Sequence, residues 1–347
     1  MKRRVLVDFT HTGRDVTGIE RVAIDLFSAE QRYELIYAKN KLDMVFKQWV
    51  YIPVLSLFPS VAAVVCPGFP PSIMLVLVAR KKVIHYIHDL FLVGKSEILS
   101  AIGRYYMAPS FRFSLKRVSQ FFVNSLVTAD ELNAHVRNAT IKVVRPPVRD
   151  VFELSQLSSD MAGPNSSDII RVVTIGTVEP RKGLLAAAEL CEELQRVSGK
   201  PVLFDIYGRK GWGKDWDLLS DKKSVVLHGY TDTKTIRAAL TQATFYLAAS
   251  TDEGLGLPLL EVQHGGVTVV ARNIAVFAEV LGTSGLLIDF SNIKLGSMQT
   301  LSYLDENSQI IRQASAIRNV SRWNQLAEDD QNQLHSTIRE MSSIGAA

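Results

Sequence analysis

The sequence has 347 residues, of which 47% are hydrophobic and 21% are charged. This composition excludes a wholly disordered chain, a collagen-like protein and a small disulfide-stabilised scaffold, and the length suffices for two domains of ordinary size. The two cysteines, Cys66 and Cys191, form no CxxC motif and no Cys/His cluster, which argues against structural zinc and favours a reducing compartment. No apolar signal core follows Met1, so we expect a cytoplasmic protein.

The net charge of +4 is unevenly distributed along the chain. Residues 1–150 contain 21 Lys and Arg against 12 Asp and Glu, whereas residues 151–347 contain 18 against 23. A basic half indicates an anionic partner, such as nucleic acid or an acidic membrane surface. Because the sequence has no basic stripe interleaved with aromatic residues, we favour the membrane surface and expect no nucleic-acid partner.

The first half alternates short apolar runs with segments of helical length. The runs lie at residues 4–9, 33–38, 61–65, 83–88, 120–124 and 141–144. Short, continuous, β-branched runs are typical of strands that are buried on both faces, as in a parallel sheet.

A polar, Ser-rich segment at residues 155–167 reads as a linker, and the same alternation resumes after it. The second set of predicted strands lies at residues 169–173, 201–207, 224–228, 244–248, 267–271 and 286–290, with helices such as 184–197 and 233–241 between them. The pattern predicts an α/β protein with two doubly wound, Rossmann-like domains that face a cleft. We place these domains at 1–154 and 168–307, and we expect a helical segment at 308–347 to pack back toward the first domain.

The segment from Gln48 to Ala79 contains no charged residue. Five prolines interrupt it, so it does not predict a transmembrane helix. Two interpretations stay open: a buried strand with apolar loops, or an apolar surface that enters a membrane interface.

The second half carries two motifs suited to an anionic, hydroxyl-rich ligand. In the first, Gly176-Thr-Val-Glu-Pro-Arg181-Lys182-Gly183, two cations stand where a strand ends and a helix begins, which favours binding of a diphosphate. A solvated surface pair of cations is the ordinary alternative.

The second motif is Glu253-Gly-Leu-Gly-Leu-Pro-Leu-Leu-Glu261, which follows the strand at 244–248. Gly254 and Gly256 permit close approach of the backbone to a ligand. The two carboxylates can accept hydrogen bonds from sugar and ribose hydroxyls. We expect Glu261 in the first turn of the following helix, where complementing the helix dipole is the alternative role.

His88 and Asp89 end a predicted strand of the first half. Ligands of open α/β sheets bind at that end of the strands, so this pair is a candidate catalytic site, although a lone histidine there is often structural.

Asp215-Trp-Asp217 is a DxD string, but it lies in a polar loop away from the other motifs. We therefore expect no metal site.

The Arg181-Lys182-Gly183 element and the Glu253-x7-Glu261 loop, in this order after a β/α N-terminal half, resemble the GT-B fold glycosyltransferases of family 4, a group of retaining, mannosyltransferase-like enzymes. The similarity covers nearly the whole chain. It implies that Arg181 and Lys182 neutralise the leaving nucleoside diphosphate, that Glu261 binds the ribose hydroxyls, and that Glu253 holds the transferred sugar. The further residues it assigns to donor binding are the loop positions Gly254, Leu255, Gly256 and Leu257, together with Gly176, Gly18 near the phosphates, Gly208 near the nucleotide and Tyr230 in the base region. His88 would contact the sugar.

The resemblance also implies a reaction. The chain would move a hexose from a nucleoside-diphosphate sugar to a lipid-linked or polysaccharide acceptor in surface glycan synthesis, without a metal or any cofactor besides the donor. The resemblance of the Gly-x-x-Gly-Trp stretch after residue 207 to mannosyl-type members favours GDP-mannose as the donor, with a UDP-sugar as the alternative. Retention is the implied outcome, and inversion with His88 or Asp89 as base stays open. A nucleotide-sugar epimerase of the same fold and a non-catalytic partner subunit are the competing readings.

A lipid-linked acceptor would make attachment to the inner face of the membrane useful. Two basic clusters of the first half, Arg80–Lys82 and Arg112–Arg117, are suited to anionic head groups. We expect Phe111 and Phe113 beside the second cluster to enter the interface.

Overall fold

The computed structural model describes residues 3–12, 18–28, 33–94, 103–157 and 168–343. The chain divides into two compact units. Unit 1 contains Met1–Pro147 and Asn324–Ala347, and unit 2 contains Val148–Trp323. Most of the predicted linker, residues 158–167, lies outside the described residues. Within the described ranges, no helix combines the length and the apolar character needed to cross a bilayer.

Unit 1 is built on one parallel sheet. Its described strands are β1 (Arg4–Phe9), β2 (Tyr33–Tyr37), β3 (Val61–Cys66), β4 (Val83–Ile87), β5 (Gln120–Val123) and β6 (Thr140–Val143). They pair in the order β2-β1-β3-β4-β5-β6. Its helices are α1 (Gly18–Phe27), α2 (Lys41–Phe46), α3 (Ile52–Leu57), α4 (Ile73–Ala79), α5 (Phe91–Gly94), α6 (Ala108–Arg117) and α7 (Leu126–Asn133), with π-helical turns at Lys47–Tyr51 and Gly103–Met107. All six strands predicted in this half are confirmed.

Unit 2 repeats the architecture with a different strand order. Its strands are β7 (Ile170–Ile175), β8 (Val202–Tyr207), β9 (Val225–Gly229), β10 (Phe245–Ala248), β11 (Val269–Arg272) and β12 (Leu286–Ile288). They form a parallel sheet in the order β12-β11-β10-β7-β8-β9. Its helices are α8 (Leu184–Ser198), α9 (Asp215–Ser220), α10 (Thr233–Gln242), α11 (Leu257–Gln263), α12 (Ala275–Leu281) and α13 (Ile293–Glu306), and α14 (Gln309–Ser343) follows. The prediction of two Rossmann-like α/β domains is confirmed.

The strand order of unit 2 determines where a ligand site belongs. The chain adds β8 and β9 on one side of β7 and then returns to place β10 on the other side. The carboxyl ends of β7 and β10 are therefore neighbours at the point where the winding reverses, which is where open α/β sheets bind ligands. The loops after β7 and β10 are the two motifs that the sequence singled out.

The long helix α14 is shared between the units. Residues 309–323 belong to unit 2, where the Asn319 side-chain amide donates to Gln263 Oε1 at 2.8 Å. The rest belongs to unit 1, where Arg145 pairs with Asp330 at 2.8 Å and Lys142 Nζ donates to Thr337 Oγ1 at 2.8 Å. The helix therefore contributes polar contacts to both cores.

Two expectations about the surface of unit 1 need correction. Phe111 is 3% exposed and packs in the core against the imidazole of His85, with ring centroids 5.3 Å apart, so it does not enter a membrane interface. The uncharged stretch contains the buried strand β3 of the first interpretation, but helices flank this strand in place of the apolar loops of that interpretation. A run of apolar residues without charges gives no helical periodicity, which is why α3 and α4 were missed.

Candidate functional site

The loops after β7 and β10 lie side by side at the carboxyl edge of the unit 2 sheet. The Thr251 amide donates to the Arg181 carbonyl at 2.8 Å. Gly183, which immediately precedes α8, has φ +62, and a Cβ there would lie 2.3 Å from the Ala249 carbonyl oxygen. The position thus requires glycine both for its backbone conformation and for the close approach of the two loops.

Four charged side chains converge where the two loops meet. The carboxylate of Glu253 pairs with the guanidinium of Arg181 through one oxygen and with the ammonium of Lys182 through the other. The Arg181 Nε also pairs with Glu179 at 2.7 Å. All four side chains are between 13% and 26% exposed, so the cluster is only partly hydrated. Arg and Lys side chains are suited to binding an oxyanion, because each can make several charge-assisted hydrogen bonds.

The Gly-rich loop leads directly into α11. Gly256 has φ +84, and a Cβ there would lie 2.7 Å from the Phe277 ring. Helix α11 begins at Leu257, so Glu261 is its fifth residue and lies outside the first turn. Our expectation that Glu261 lies in the first turn was wrong, because the helix starts immediately after the left-handed glycine. A role in complementing the helix dipole therefore loses its basis, since that effect is confined to the first turn. Glu261 is 5% exposed.

Tyr246, on β10, is a residue that the sequence did not single out. Its hydroxyl donates to the Ile175 carbonyl at 3.3 Å. Burial raises the pKa of this phenol, and the charges of Glu261 and Glu253 raise it further. Both carboxylates thus act on one buried hydroxyl at the end of β10. A tyrosine in an apolar strand carries no signal that separates this position from ordinary core packing.

The ends of β8 and β9 form a second part of the same edge. A Cβ on Gly208 would lie 1.8 Å from the Gly176 carbonyl, so these two backbones touch. Tyr230 is 78% exposed, and the guanidinium of Arg209 lies 4.5 Å from its ring centroid. This exposed ring and cation are suited to stacking on a planar group. Arg209 was also missed, although it directly follows Gly208.

The remaining predicted residues lie in unit 1. His88 follows β4, and its Nε2–H donates to the Pro67 carbonyl at 2.6 Å, which leaves Nδ1 as an acceptor. Burial lowers the pKa of His88 to about 4, so its imidazole is neutral near pH 7. Asp89 accepts a hydrogen bond from the Phe91 amide at 3.1 Å and caps the short helix α5. Gly18 is the first residue of α1, with open space around its Cα.

The DxD string has structural partners. Asp217 pairs with Lys210 at 2.6 Å, and Asp215 is 9% exposed, with burial raising the pKa of its carboxyl. Across the described ranges of the chain, no group of three or more His, Cys, Asp or Glu residues is arranged to hold a metal ion.

Comparison with known families and proteins gives matches to glycosyltransferases. Residues 170–301 match the family model described as "Glycosyl transferases group 1". The chain is 32% identical over 142 residues to O-antigen chain mannosyltransferase B of Escherichia coli, which covers 39% of this chain and 36% of that relative. It is 33% identical over 115 residues to the serotype-specific mannosyltransferase WbdA of Escherichia coli, covering 31% of this chain and 14% of the relative. The chain thus matches about a third or less of the length of these relatives.

Solved structures match over almost the whole chain. HepE of Anabaena, in complex with UDP and glucose, aligns with a TM-score of 0.69 at 15% identity and covers 97% of this chain and 99% of its own. WaaG, a glycosyltransferase involved in lipopolysaccharide biosynthesis, aligns with a TM-score of 0.63 at 14% identity over 99% of this chain and 100% of its own. At these identities the likeness establishes the fold of both units.

Proposed function

We propose that this chain is a GT-B glycosyltransferase of group 1 that moves a hexose from a nucleoside-diphosphate sugar to a lipid-linked or polysaccharide acceptor. The observation that carries the proposal is the cluster of Arg181, Lys182 and Glu253 at the edge where β7 and β10 meet. Similarity to mannosyltransferases of O-antigen synthesis favours mannose as the sugar and a surface glycan as the product.

The charged cluster is suited to the hardest part of such a reaction. Breaking the glycosidic bond to a diphosphate leaves negative charge on the leaving group. Glu179 and Glu253 hold Arg181 and Lys182 at this edge before a donor binds, so both cations are in position to stabilise that charge once the diphosphate displaces Glu253. This arrangement uses two fixed cations for a task that a divalent ion performs in other transferases. We therefore propose transfer without a metal, with the donor as the sole small-molecule requirement.

The neighbouring residues supply roles for the rest of the donor. Buried Glu261 is suited to accepting hydrogen bonds from ribose hydroxyls, and the loop from Gly254 to Leu257 to holding the sugar. Tyr230 and Arg209 offer a surface for the base. The neutral His88 is suited to a hydrogen bond with a sugar hydroxyl through Nδ1. With a lipid-linked acceptor, the protein would work attached to the inner face of the membrane.

A transfer assay on the full chain tests the proposal. GDP-mannose and UDP-glucose are each supplied with and without a lipid-linked glycan acceptor, and nucleotide release and acceptor mass are measured, with and without EDTA. We expect acceptor-dependent release that EDTA leaves unchanged. Isomerised sugar without an acceptor would indicate an epimerase, and binding without turnover would indicate a partner subunit. Complete loss in EDTA, restored by Mg²⁺ or Mn²⁺, would contradict metal independence.

The double variant Arg181→Gln/Lys182→Gln separates this site from general surface charge. We expect it to weaken nucleoside-diphosphate binding by at least about a hundredfold, because two charge-assisted contacts are lost. The matched control is Lys222→Gln/Lys223→Gln, which removes two cations elsewhere on unit 2 and should leave binding unchanged. Equal effects of the two double variants, measured by calorimetry, would contradict the assignment.

A further inference from the structure

Unit 1 carries an apolar helical face that no part of the described chain covers. Helices α2 and α3 join through the π-helical turn at Lys47–Tyr51 into one helical segment, residues 41–57. Its outward row contains large hydrophobic residues at a spacing of four, each between 47% and 83% exposed: Leu42, Phe46, Val50, Val54 and, just past its end, Phe58. A spacing of four places side chains along one side of a helix.

The opposite side of this segment is already used by the fold. Ile52 is 1% exposed, and Gln48 and Ser56 are also buried. The Gln48 amide donates to Thr10 Oγ1 at 2.7 Å inside unit 1. The packed side of the segment thus includes polar residues that are hydrogen-bonded, whereas its exposed side is apolar. A helix with this composition is normally enclosed, because polar residues otherwise occupy the solvent side.

Helix α4 extends the same face. Met74, Leu77 and Val78 are exposed, while the other side of α4 is buried. The Ser72 hydroxyl, which caps α4, donates to the Gln48 carbonyl at 2.6 Å, and Lys82 Nζ donates to the Ser56 carbonyl at 2.7 Å. These bonds fix α4 beside α3. The apolar face, defined as the exposed hydrophobic residues of 42–58 and 74–78, is thus a single patch on a rigid support.

The charges that flank the apolar face along the chain are mainly positive. Residues 44–88 contain no Asp or Glu, and Asp43 is paired with Lys47 at 2.8 Å. Lys41 lies at one end of the face, and Arg80 and Lys81 at the other, all exposed. A helix with an apolar side and flanking cations is typical of segments that lie in the interface of an anionic membrane.

From this geometry we infer that unit 1 docks on an anionic lipid surface through the apolar face, with Lys41, Arg80 and Lys81 at the head groups. The inference rests on the proposed function for its purpose, since a lipid-linked acceptor is reached from a membrane. It assigns the docking to a surface other than the Arg112–Arg117 segment. A second copy is disfavoured as the occupant, because two-fold pairing of the same face would bring like cations together.

Flotation of the full chain with vesicles tests the inference. We expect binding to phosphatidylcholine vesicles that contain phosphatidylglycerol, less binding to phosphatidylcholine alone, and a fall with added salt. The variant Phe46→Gln/Val50→Gln/Val54→Gln should lose at least about tenfold in affinity, because the inserted apolar area is reduced. The matched control Leu218→Gln/Met298→Gln/Ile310→Gln changes three exposed hydrophobic residues of unit 2 and should bind as the wild type does.

A fluorescent label on the apolar face distinguishes docking on a membrane from pairing with a second copy of the chain. The native Cys66 and Cys191 are buried, so an environment-sensitive thiol dye can be placed at Val50→Cys or, as a control, at Ile310→Cys. We expect a blue shift with anionic vesicles at position 50 alone. A concentration-dependent shift at position 50 without vesicles, or no vesicle binding by the wild type, would overturn the inference. Calorimetry with nucleoside diphosphates on the same proteins reports on the transferase proposal separately, so either can fail alone.

Discussion

Glu253 shows how a single carboxylate can serve two partners. The sequence assigns it to the sugar, and the structure shows it neutralising Arg181 and Lys182. A diphosphate that binds these cations must compete with the carboxylate. Glu253 therefore holds the cations in position when no donor is bound and, in the proposed reaction, is released toward the sugar when the donor displaces it.

The variant Glu253→Gln tests this competition. We expect it to bind free nucleoside diphosphate roughly two- to fivefold more tightly, because the competing charge is removed from a partly exposed site. Transfer should nevertheless fall at least about tenfold, because the sugar loses its charged acceptor. The control Glu192→Gln breaks the exposed pair with Lys222 and should change neither quantity. Weaker diphosphate binding by Glu253→Gln, measured by calorimetry, would contradict the competition.

Residue types and spacing were sufficient to single out Arg181, Lys182 and Glu253, whose motifs carry unusual glycines and charges, although they assigned no role to Glu179. They were insufficient to find Tyr246 or Arg209. The importance of Tyr246 depends on β10 lying next to β7, which brings its hydroxyl to the Ile175 carbonyl. Arg209 depends on β9 lying next to β8, which brings it over Tyr230. Strand order is a long-range property that local patterns do not contain.

At the scale of elements, the two ends of α8 offer a matched pair of glycines. Gly183 precedes the helix with φ +62, and Gly199 follows it with φ +68. Both substitutions to alanine incur the left-handed backbone cost, about 1 kcal/mol. Only at Gly183 does the new Cβ also meet a neighbour, the Ala249 carbonyl at 2.3 Å, whereas Gly199 has open space.

We therefore expect Gly183→Ala to lower the free energy of unfolding of unit 2 clearly more than Gly199→Ala does. Gly183→Ala should also weaken nucleoside-diphosphate binding, because it separates the loops that carry Lys182 and Glu253. Chemical denaturation and calorimetry on the two variants measure both effects. If the two variants are equally stable and bind nucleoside diphosphate equally well, the close approach of the two loops does not organise the site.

The twelve strands could be predicted because continuous β-branched runs between turn residues have few other uses in a chain of this composition. The helices α3 and α4 could not, since their solvent side is apolar and the polar half of the helical pattern is missing. This failure marks the same residues that form the apolar face. Places where the local pattern and the fold disagree are often functional surfaces, because something other than folding selects their residues.

At the scale of the whole molecule, the units differ in their buried ionisable groups. Unit 1 encloses three histidines whose imidazole pKa burial lowers: His11 to about 4, His85 to about 3 and His88 to about 4. The ring nitrogens of His11 have no hydrogen-bond partner among the residues that the structure describes. Burial also raises the pKa of the Asp8 carboxyl to about 6. The stability of unit 1 should therefore depend on pH between about 4 and 6.5.

The sign of that dependence follows from which state binds protons. The unfolded chain protonates its histidines near pH 6.5, whereas folded unit 1 keeps the three neutral, so their stabilisation is present above pH 6.5 and is lost as the pH falls toward 4. At pH 5 the loss is about 2 kcal/mol for each histidine. Asp8 acts in the opposite direction, because the folded state takes up its proton below pH 6. It offsets about 1 kcal/mol of the loss at pH 5.

Hydrogen exchange of peptides from β4 and β8, corrected for the intrinsic effect of pH, measures the pH dependence of the stability of each unit in the intact chain. We expect β4 in unit 1 to lose protection between pH 7.5 and pH 5 to a greater extent than β8 in unit 2. The variant Asp8→Asn keeps an acceptor for the Thr10 amide and hydroxyl but removes the proton uptake, so β4 should become more sensitive to acid. Equal losses in β4 and β8, or an acid response unchanged by Asp8→Asn, would show that these buried groups do not control the acid stability of unit 1.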